Sequence, residues 1–356
     1  MHLKELGYST KRQQYWTEQN LEQFVPGRVI AQHRDRYTIA TAQGEYSAEI
    51  TGNMRFTAES TEDFPAVGDW VAAVLYDPEM AVIHRTLPRS SCITRKTPGH
   101  LGGTQVIAAN IDYGLIVQAV DRDFNINRME RYLTICNASH VEPVIVLSKT
   151  DLIDAGRLRE IVDRVHLRIS DIPVIPVSSV TGNGYTAINA HMEAGKTYCL
   201  LGSSGVGKST LLNSLSGKAV MKTGAISTST AKGKHVTSHR ELTCLRNGAI
   251  IIDNPGMREV GISDTSGGLE KTFSRIEELA GACRFSDCTH TSEAGCAVLD
   301  AVDSGMIDHA SYENYLKMRK ERAHYQATSA ERRKKDKQLA KVVKHYKQFK
   351  KNNRQI

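Results

Sequence analysis

Short apolar–polar alternations fill the first quarter of the chain. After a polar opening over residues 1–23, which reads as a short helix or an arm, strands are predicted at 28–30, 37–40, 45–50, 70–76 and 80–84. Gly27, Gly44, Gly52, Gly68 and the Asp77-Pro78 pair punctuate them. Five short strands in this stretch suit a small closed barrel such as the OB-fold, and an SH3-like barrel would leave the same trace. The pattern then changes. Almost wholly apolar runs at 113–120, 143–147, 173–177, 197–201 and 249–253 alternate with helical stretches at 127–137 and 155–168. That alternation predicts a mostly parallel sheet covered on both faces. Residues 217–241 are rich in Gly, Ser, Thr and Lys with little periodicity, and the chain reads as helical after Gly256. Leu339, Val342, Val343, Tyr346 and Phe349 recur at an amphipathic helical spacing. The expected organisation is an arm (1–24), a barrel (25–90), an α/β domain (91–275) and a helical region (276–356).

Composition narrows the class. Charged residues make up 24% and apolar residues 40% of the chain, the balance of an ordinary folded protein. No run approaches the ~20 apolar residues of a membrane span, and Met1 to Leu6 lack the apolar core of a signal peptide. Seven cysteines without a secretory signal argue against a disulfide framework. A cytoplasmic, monomeric protein with no membrane partner is expected. The net charge of +7 is unevenly placed: residues 331–356 carry +9 and the remainder −2. A basic tail on a near-neutral body suits a polyanion, because releasing condensed counterions favours binding; a solvated charged helix is the plainer reading.

The chemistry begins at Gly202-Ser203-Ser204-Gly205-Val206-Gly207-Lys208-Ser209-Thr210, which matches GxxxxGK[ST] between a predicted strand and a predicted helix. The glycines let backbone N–H groups turn inward around phosphate oxygens, and the helix presents its positive end. Lys208 would contact the terminal phosphates and Ser209 would ligate Mg²⁺. Asp253-Asn254-Pro255-Gly256 follows an apolar strand as DxxG does in GTPases, with Asp253 in the Mg²⁺ shell and the Gly256 N–H near the γ-phosphate. Ser148-Lys149-Thr150-Asp151 ends another strand and resembles the guanine-selecting NKxD, whose carboxylate accepts from N1–H and the exocyclic amine of guanine. Ser178-Ser179 ends a third strand, where backbone amides would meet guanine O6. In an ordinary GTPase the phosphate loop precedes the guanine motif. Here it follows, which predicts a circularly permuted domain.

Cys283-x4-Cys288-x-His290-x5-Cys296 offers three thiolates and an imidazole, the number and softness that one closed, structural Zn²⁺ site requires. Only 26 residues separate it from Gly256, so the nucleotide-sensing end of the α/β domain feeds directly into it. Cys92, Cys136, Cys199 and Cys244 read as buried small apolar residues.

Barrel, permuted motifs, CxxxxCxHxxxxxC and basic tail together resemble the ribosome small subunit-dependent GTPase A (RsgA) family over residues 25–320. The resemblance implies an N-terminal OB-fold that contacts 16S rRNA and GTP hydrolysis to GDP stimulated by the 30S subunit, in late 30S maturation. The stretch 233–242 is similar to that family's switch sequence GRHTTTxxEL. Three departures stand out. Ser148 replaces Asn, losing an amide that ties the base pocket to the phosphate loop and predicting weaker guanine binding, while Asp151 keeps the selection. Val236 replaces the first Thr of the switch, so Thr237 rather than Ser238 is expected at Mg²⁺. Asn254 replaces the Thr of DTPG with little consequence. Met257 stands where many GTPases place a water-orienting Gln, which predicts slow intrinsic hydrolysis. His235, ahead of His239, is the candidate to position the water or take its proton. A different P-loop enzyme, such as an ATPase or small-molecule kinase, is disfavoured by Asp151 and the Ser178-Ser179 pair. A nucleic-acid-binding module with a degenerate core is disfavoured by intact Lys208, Ser209 and Asp253. A permuted GTPase of the large subunit would not be expected to combine the barrel with this cysteine cluster.

Overall fold

A computed structural model describes residues 2–33, 36–96, 104–217, 240–253 and 267–326. Helix α1 (Thr10–Glu18) starts where the Ser9 side chain accepts from the Arg12 N–H, satisfying one of the first-turn donors. The chain then builds strands β1 (Val25–His33), β2 (Arg36–Thr41) and β3 (Glu45–Ile50), short helix α2 (Gly52–Thr57), and strands β4 (Trp70–Leu75) and β5 (Met80–Thr86). Strands β1, β2 and β3 pair antiparallel in turn, β3 meets β5 in parallel, and β4 pairs antiparallel with both β5 and β1. This ring closes a five-stranded barrel, and its parallel β3–β5 closure with a helix between β3 and β4 makes it OB-like, which strand alternation alone left open. Val29, Ile39, Ala48, Val71 and Ile83 fill the inside with essentially no exposure. The polar arm is ordered against the outside, because Leu6, Trp16 and Leu21 bury themselves on Trp70 and Leu87.

Strands β6 (Cys92–Lys96) and β7 (Thr104–Ala109) form an antiparallel pair of their own, which the sequence pattern did not suggest. Ile93, Ile107 and Ala108 from this pair cover one face of the central sheet. That sheet is laid down by β8 (Tyr113–Ala119), α3 (Ile126–Ala138), β9 (Glu142–Ser148), α4 (Ala155–Arg168), β10 (Val174–Pro176), α5 (Tyr185–His191), β11 (Thr197–Leu201), α6 (Lys208–Ser216), β12 (Arg240–Cys244) and β13 (Ile250–Asp253). Its order is β10-β9-β8-β11-β13-β12, parallel except for β12. Continuous apolar strands are what a sheet buried on both faces demands. One layer packs Met129, Leu133, Ile161 and Val165 from α3 and α4; the other packs Ile188, Leu211, Leu212 and Leu215 from α5 and α6.

The chain enters this sheet in the middle. From β8 it builds outward through β9 to β10, returns to lay β11 beside β8, and then builds toward β13 and β12 on the other side. The carboxyl ends of β8 and β11 therefore form a switch point, where an open α/β sheet has its natural ligand crevice.

Strand β12 also pairs with barrel strand β1, Ala31 opposite Glu241 and Gln32 opposite Arg240, so barrel and sheet are one hydrogen-bonded surface. Beside this seam lies Arg28, 1% exposed. Its guanidinium donates to the carbonyls of Leu6, Gly68 and Asn110 and to Thr197 Oγ1, and lies 5.6 Å from the Trp70 ring centre. Burial pushes its pKa down to about 9.

The remaining helices, α7 (Gly268–Thr272), α8 (Ser274–Ala280), α9 (Ala297–Asp303) and α10 (His309–Gln326), form a third core around Leu269, Phe273, Ile276, Val298 and Met318. It docks on α3. Gly268 comes so close that a Cβ there would sit 2.5 Å from the Thr134 carbonyl. The buried Glu130 carboxylate accepts from Arg168 (2.7 Å), Ser311 (3.0 Å) and Asn314 (2.6 Å), joining α3, α4 and α10.

Candidate functional site

The phosphate-binding loop leaves β11 at the switch point. Gly202, at φ +147°, is required there because a Cβ would lie 2.4 Å from the Val117 carbonyl of β8. The loop turns through Ser203, Ser204, Gly205 and Val206 to Gly207, whose carbonyl accepts from the Leu211 N–H as α6 begins at Lys208. Lys208 Nζ donates to the carbonyls of Gly202 and Ser203 at 2.7 and 2.6 Å, which holds the ammonium across the loop. Ser209 and Thr210 follow in the first turn of α6, whose leading N–H groups favour anions.

The guanine-motif residues converge on this loop from β9 and β10. The Ser148 hydroxyl, buried at the end of β9, donates to the Val206 carbonyl at 2.6 Å. This corrects the expectation drawn from the missing asparagine: the tie between base pocket and phosphate loop is kept, by a hydroxyl in place of an amide. Lys149 takes the left-handed conformation (φ +59°), which turns the chain so that Thr150 N donates to the Val177 carbonyl. Asp151 is exposed, and its Oδ1 accepts from the Ser178 hydroxyl at 2.6 Å. Ser178 itself is buried and receives the N–H groups of Val180 and Thr181, whereas Ser179 faces solvent. One carboxylate oxygen of Asp151 is thus fixed by a neighbour from the next strand, orienting the group at the rim of the crevice.

Two residues that the sequence did not single out join this cluster. Asp121, just beyond β8, pairs with Lys149 Nζ at 2.8 Å. Burial alone would raise its pKa, but the Lys149 bond and the Asp123 N–H hold it below the usual carboxylate value. Arg128, in the first turn of α3, donates to Ser203 Oγ at 3.2 Å. A signal for Asp121 existed: it ends an apolar strand as Ser148, Ser178, Gly202 and Asp253 do.

Asp253 closes β13, next to β11, and is 8% exposed. A hydroxyl (Ser209) and a carboxylate (Asp253) are hard oxygen donors of the kind Mg²⁺ takes. Thr237, His235, Asn254, Gly256, Met257 and the basic tail lie outside the described residues.

The second cluster is separate from the nucleotide crevice. The ligand atoms of Cys283, Cys288, His290 and Cys296 all lie within 4.8 Å of one another. Sγ of Cys283 and of Cys296 are 3.6 and 3.4 Å from His290 Nδ1 and 3.8 Å apart. Four soft or borderline donors converging on one point fit a closed tetrahedral Zn²⁺ site, with no ligand position left over for chemistry. His290 reaches it through a left-handed backbone (φ +59°) fixed by the Tyr312 hydroxyl on its carbonyl. Among the other cysteines, Cys136 and Cys199 are buried as expected. Cys92 is only partly buried at the start of β6, and Cys244 is exposed at the end of β12.

A family model described as RsgA GTPase matches residues 86–263. "Small ribosomal subunit biogenesis GTPase RsgA" of Opitutus terrae is 40% identical over 315 residues, covering 85% of each chain. The chain belongs to the RsgA GTPase family. Within it, "Small ribosomal subunit biogenesis GTPase RsgA 2" of Vibrio vulnificus is 37% identical across 96% of this chain and 94% of that one. The crystal structure of YjeQ from Thermotoga maritima has a TM-score of 0.62 at 25% identity, covering 83% of this chain and 96% of that one. YloQ, described as a circularly permuted GTPase, has a TM-score of 0.62 at 23% identity over 86% and 97%. A model described as ABC transporter also matches residues 185–356, a span holding the phosphate loop that P-loop nucleoside triphosphatases share. The order of the motifs along the chain, with Ser148–Asp151 after β9 and Ser178 after β10 ahead of the phosphate loop after β11, is that of a circularly permuted GTPase domain.

Proposed function

We propose that this GTPase binds the 30S ribosomal subunit through its 16S rRNA and hydrolyses GTP to GDP and phosphate during late 30S maturation, stimulated by the subunit. The observation that carries the nucleotide reading is the convergence at one switch point of a phosphate loop and the Ser178-oriented carboxylate of Asp151, joined through the Ser148–Val206 bond. The proposed divisions are 1–24, 25–90, 91–275 and 276–356, with Leu269 and Phe273 from just before the last boundary lending themselves to the C-terminal core.

Residues 202–210 would surround the phosphates, Lys208 leaving the loop carbonyls for phosphate oxygens. Asp151 would read the guanine edge, Lys149 would lie along the base, and Ser178-Ser179 would supply the amides for O6. Mg²⁺, when bound by Ser209 and Asp253 with Thr237, would neutralise phosphate charge. His235 is proposed to position the attacking water in the absence of a glutamine at Met257, and the Gly256 N–H to sense the γ-phosphate. One Zn²⁺ on Cys283, Cys288, His290 and Cys296 would be structural. We take the protein to be a monomer of the cytoplasm. No helix among the described residues is long and apolar enough to cross a membrane.

The guanine assignment is tested by nucleotide competition. The wild type should prefer GTP to ATP and to xanthosine triphosphate, and Asp151→Asn should move the preference toward xanthosine triphosphate. Unchanged discrimination in that variant would remove Asp151 from the base pocket.

A further inference from the structure

We infer that Arg128 is a positioning residue for the phosphate loop, bracing Ser203 from α3 so that Lys208 is released to the nucleotide. The inference rests on the phosphate-loop reading above. Ser203 is held from two sides: Lys208 Nζ sits on its carbonyl (2.6 Å) and Arg128 Nη1 on its hydroxyl (3.2 Å). The other contact of the guanidinium is the Asp123 carbonyl at 3.5 Å, and among the described residues no carboxylate pairs with it. Arg128 is half-buried on the first turn of α3, immediately after the Asn125 cap, so its base is anchored by the helix start. A partly desolvated guanidinium that pairs with no acid has its donors free for the loop hydroxyl and the Asp123 carbonyl.

The mechanical consequence follows from Lys208. With its ammonium on the Gly202 and Ser203 carbonyls, the loop can fold inward onto its own lysine. Arg128 holds the hydroxyl of the same residue from α3, which restrains Ser203 from following the lysine. The Ser148–Val206 bond does the same farther along the loop. Both braces come from the half of the sheet that precedes the phosphate loop in the chain.

The test is a double-mutant cycle on the full-length protein. Arg128→Ala and Ser203→Ala should each weaken GTP binding about tenfold, and the double variant should be no weaker than either single one, because both remove the same contact. Arg128→Lys should recover part of the loss. Binding of guanosine, which has no phosphates, should stay at the wild-type level in all variants, as a general disturbance of the domain would not allow. Wild-type GTP affinity in Arg128→Ala, additive losses in the cycle, or a parallel loss of guanosine binding would each overturn the inference. Failure of the underlying phosphate-loop reading would look different, since the unmodified protein would then bind GTP no better than guanosine.

Discussion

Ser148 ties the end of β9 to the phosphate loop with a hydroxyl where the resembled motif has an amide. An asparagine at this position would offer an amide donor; the serine offers one hydroxyl, and in a buried setting one donor is enough to satisfy the Val206 carbonyl. Removing it would strand that carbonyl at a cost of about 1–3 kcal/mol. Ser148→Ala should therefore weaken GTP binding about tenfold while guanine-over-adenine preference persists, since Asp151 and Ser178 are untouched; isothermal titration of both nucleotides checks this. The sequence named Ser148, Lys149, Asp151, Ser178 and the loop residues because they fall in phosphate- and guanine-type motifs, each of which follows an apolar strand. It did not show that the Ser148 hydroxyl would replace the amide tie, because residue identity does not say which atom a neighbouring carbonyl will find. Arg128 left no trace in the pattern, as its partner Ser203 is 75 positions away.

At the level of elements, the strands that read most clearly from the chain were those buried on both faces, such as β9 and β11, where nearly every residue is apolar. The β6–β7 pair and β12 escaped. Strands β6 and β12 mix charged and polar residues with apolar ones, and β12 takes its place between β13 and the distant barrel strand β1. The C-terminal module was legible for another reason, its ligand spacing. Small helices α8 and α9 flank the Cys283–Cys296 loop, and the ligand residues Cys288 and Cys296 belong to the same buried core as Ile276 and Val298. Metal binding and folding should therefore be coupled there. Elemental analysis is expected to find one Zn per chain, and Cys288→Ser or chelation should lower the melting temperature of this module. Full zinc content after loss of both Cys283 and Cys288 would place the metal elsewhere.

For the whole molecule, three bodies share two seams. The β1–β12 pairing joins the barrel to the strands beside Asp253, and the Glu130 cluster joins the C-terminal helices to α3, whose first turn touches the phosphate loop through Arg128. Both outer bodies are thus wired to the edges of the nucleotide crevice, a route by which the proposed stimulation by the subunit would reach it. The tail beyond residue 330 adds concentrated positive charge. Deleting residues 331–356 should weaken 30S binding and flatten its dependence on salt, the slope of log K against log salt scaling with the phosphates neutralised. GTP hydrolysis without ribosomes should barely change. An unaltered salt slope would leave the tail with no polyanion to neutralise. The most direct test of the central claim is GTP turnover by the intact protein alone, with purified 30S subunits and with 50S subunits. The account predicts slow turnover alone, acceleration of about tenfold or more by 30S, and none by 50S; equal rates in all three conditions would contradict it.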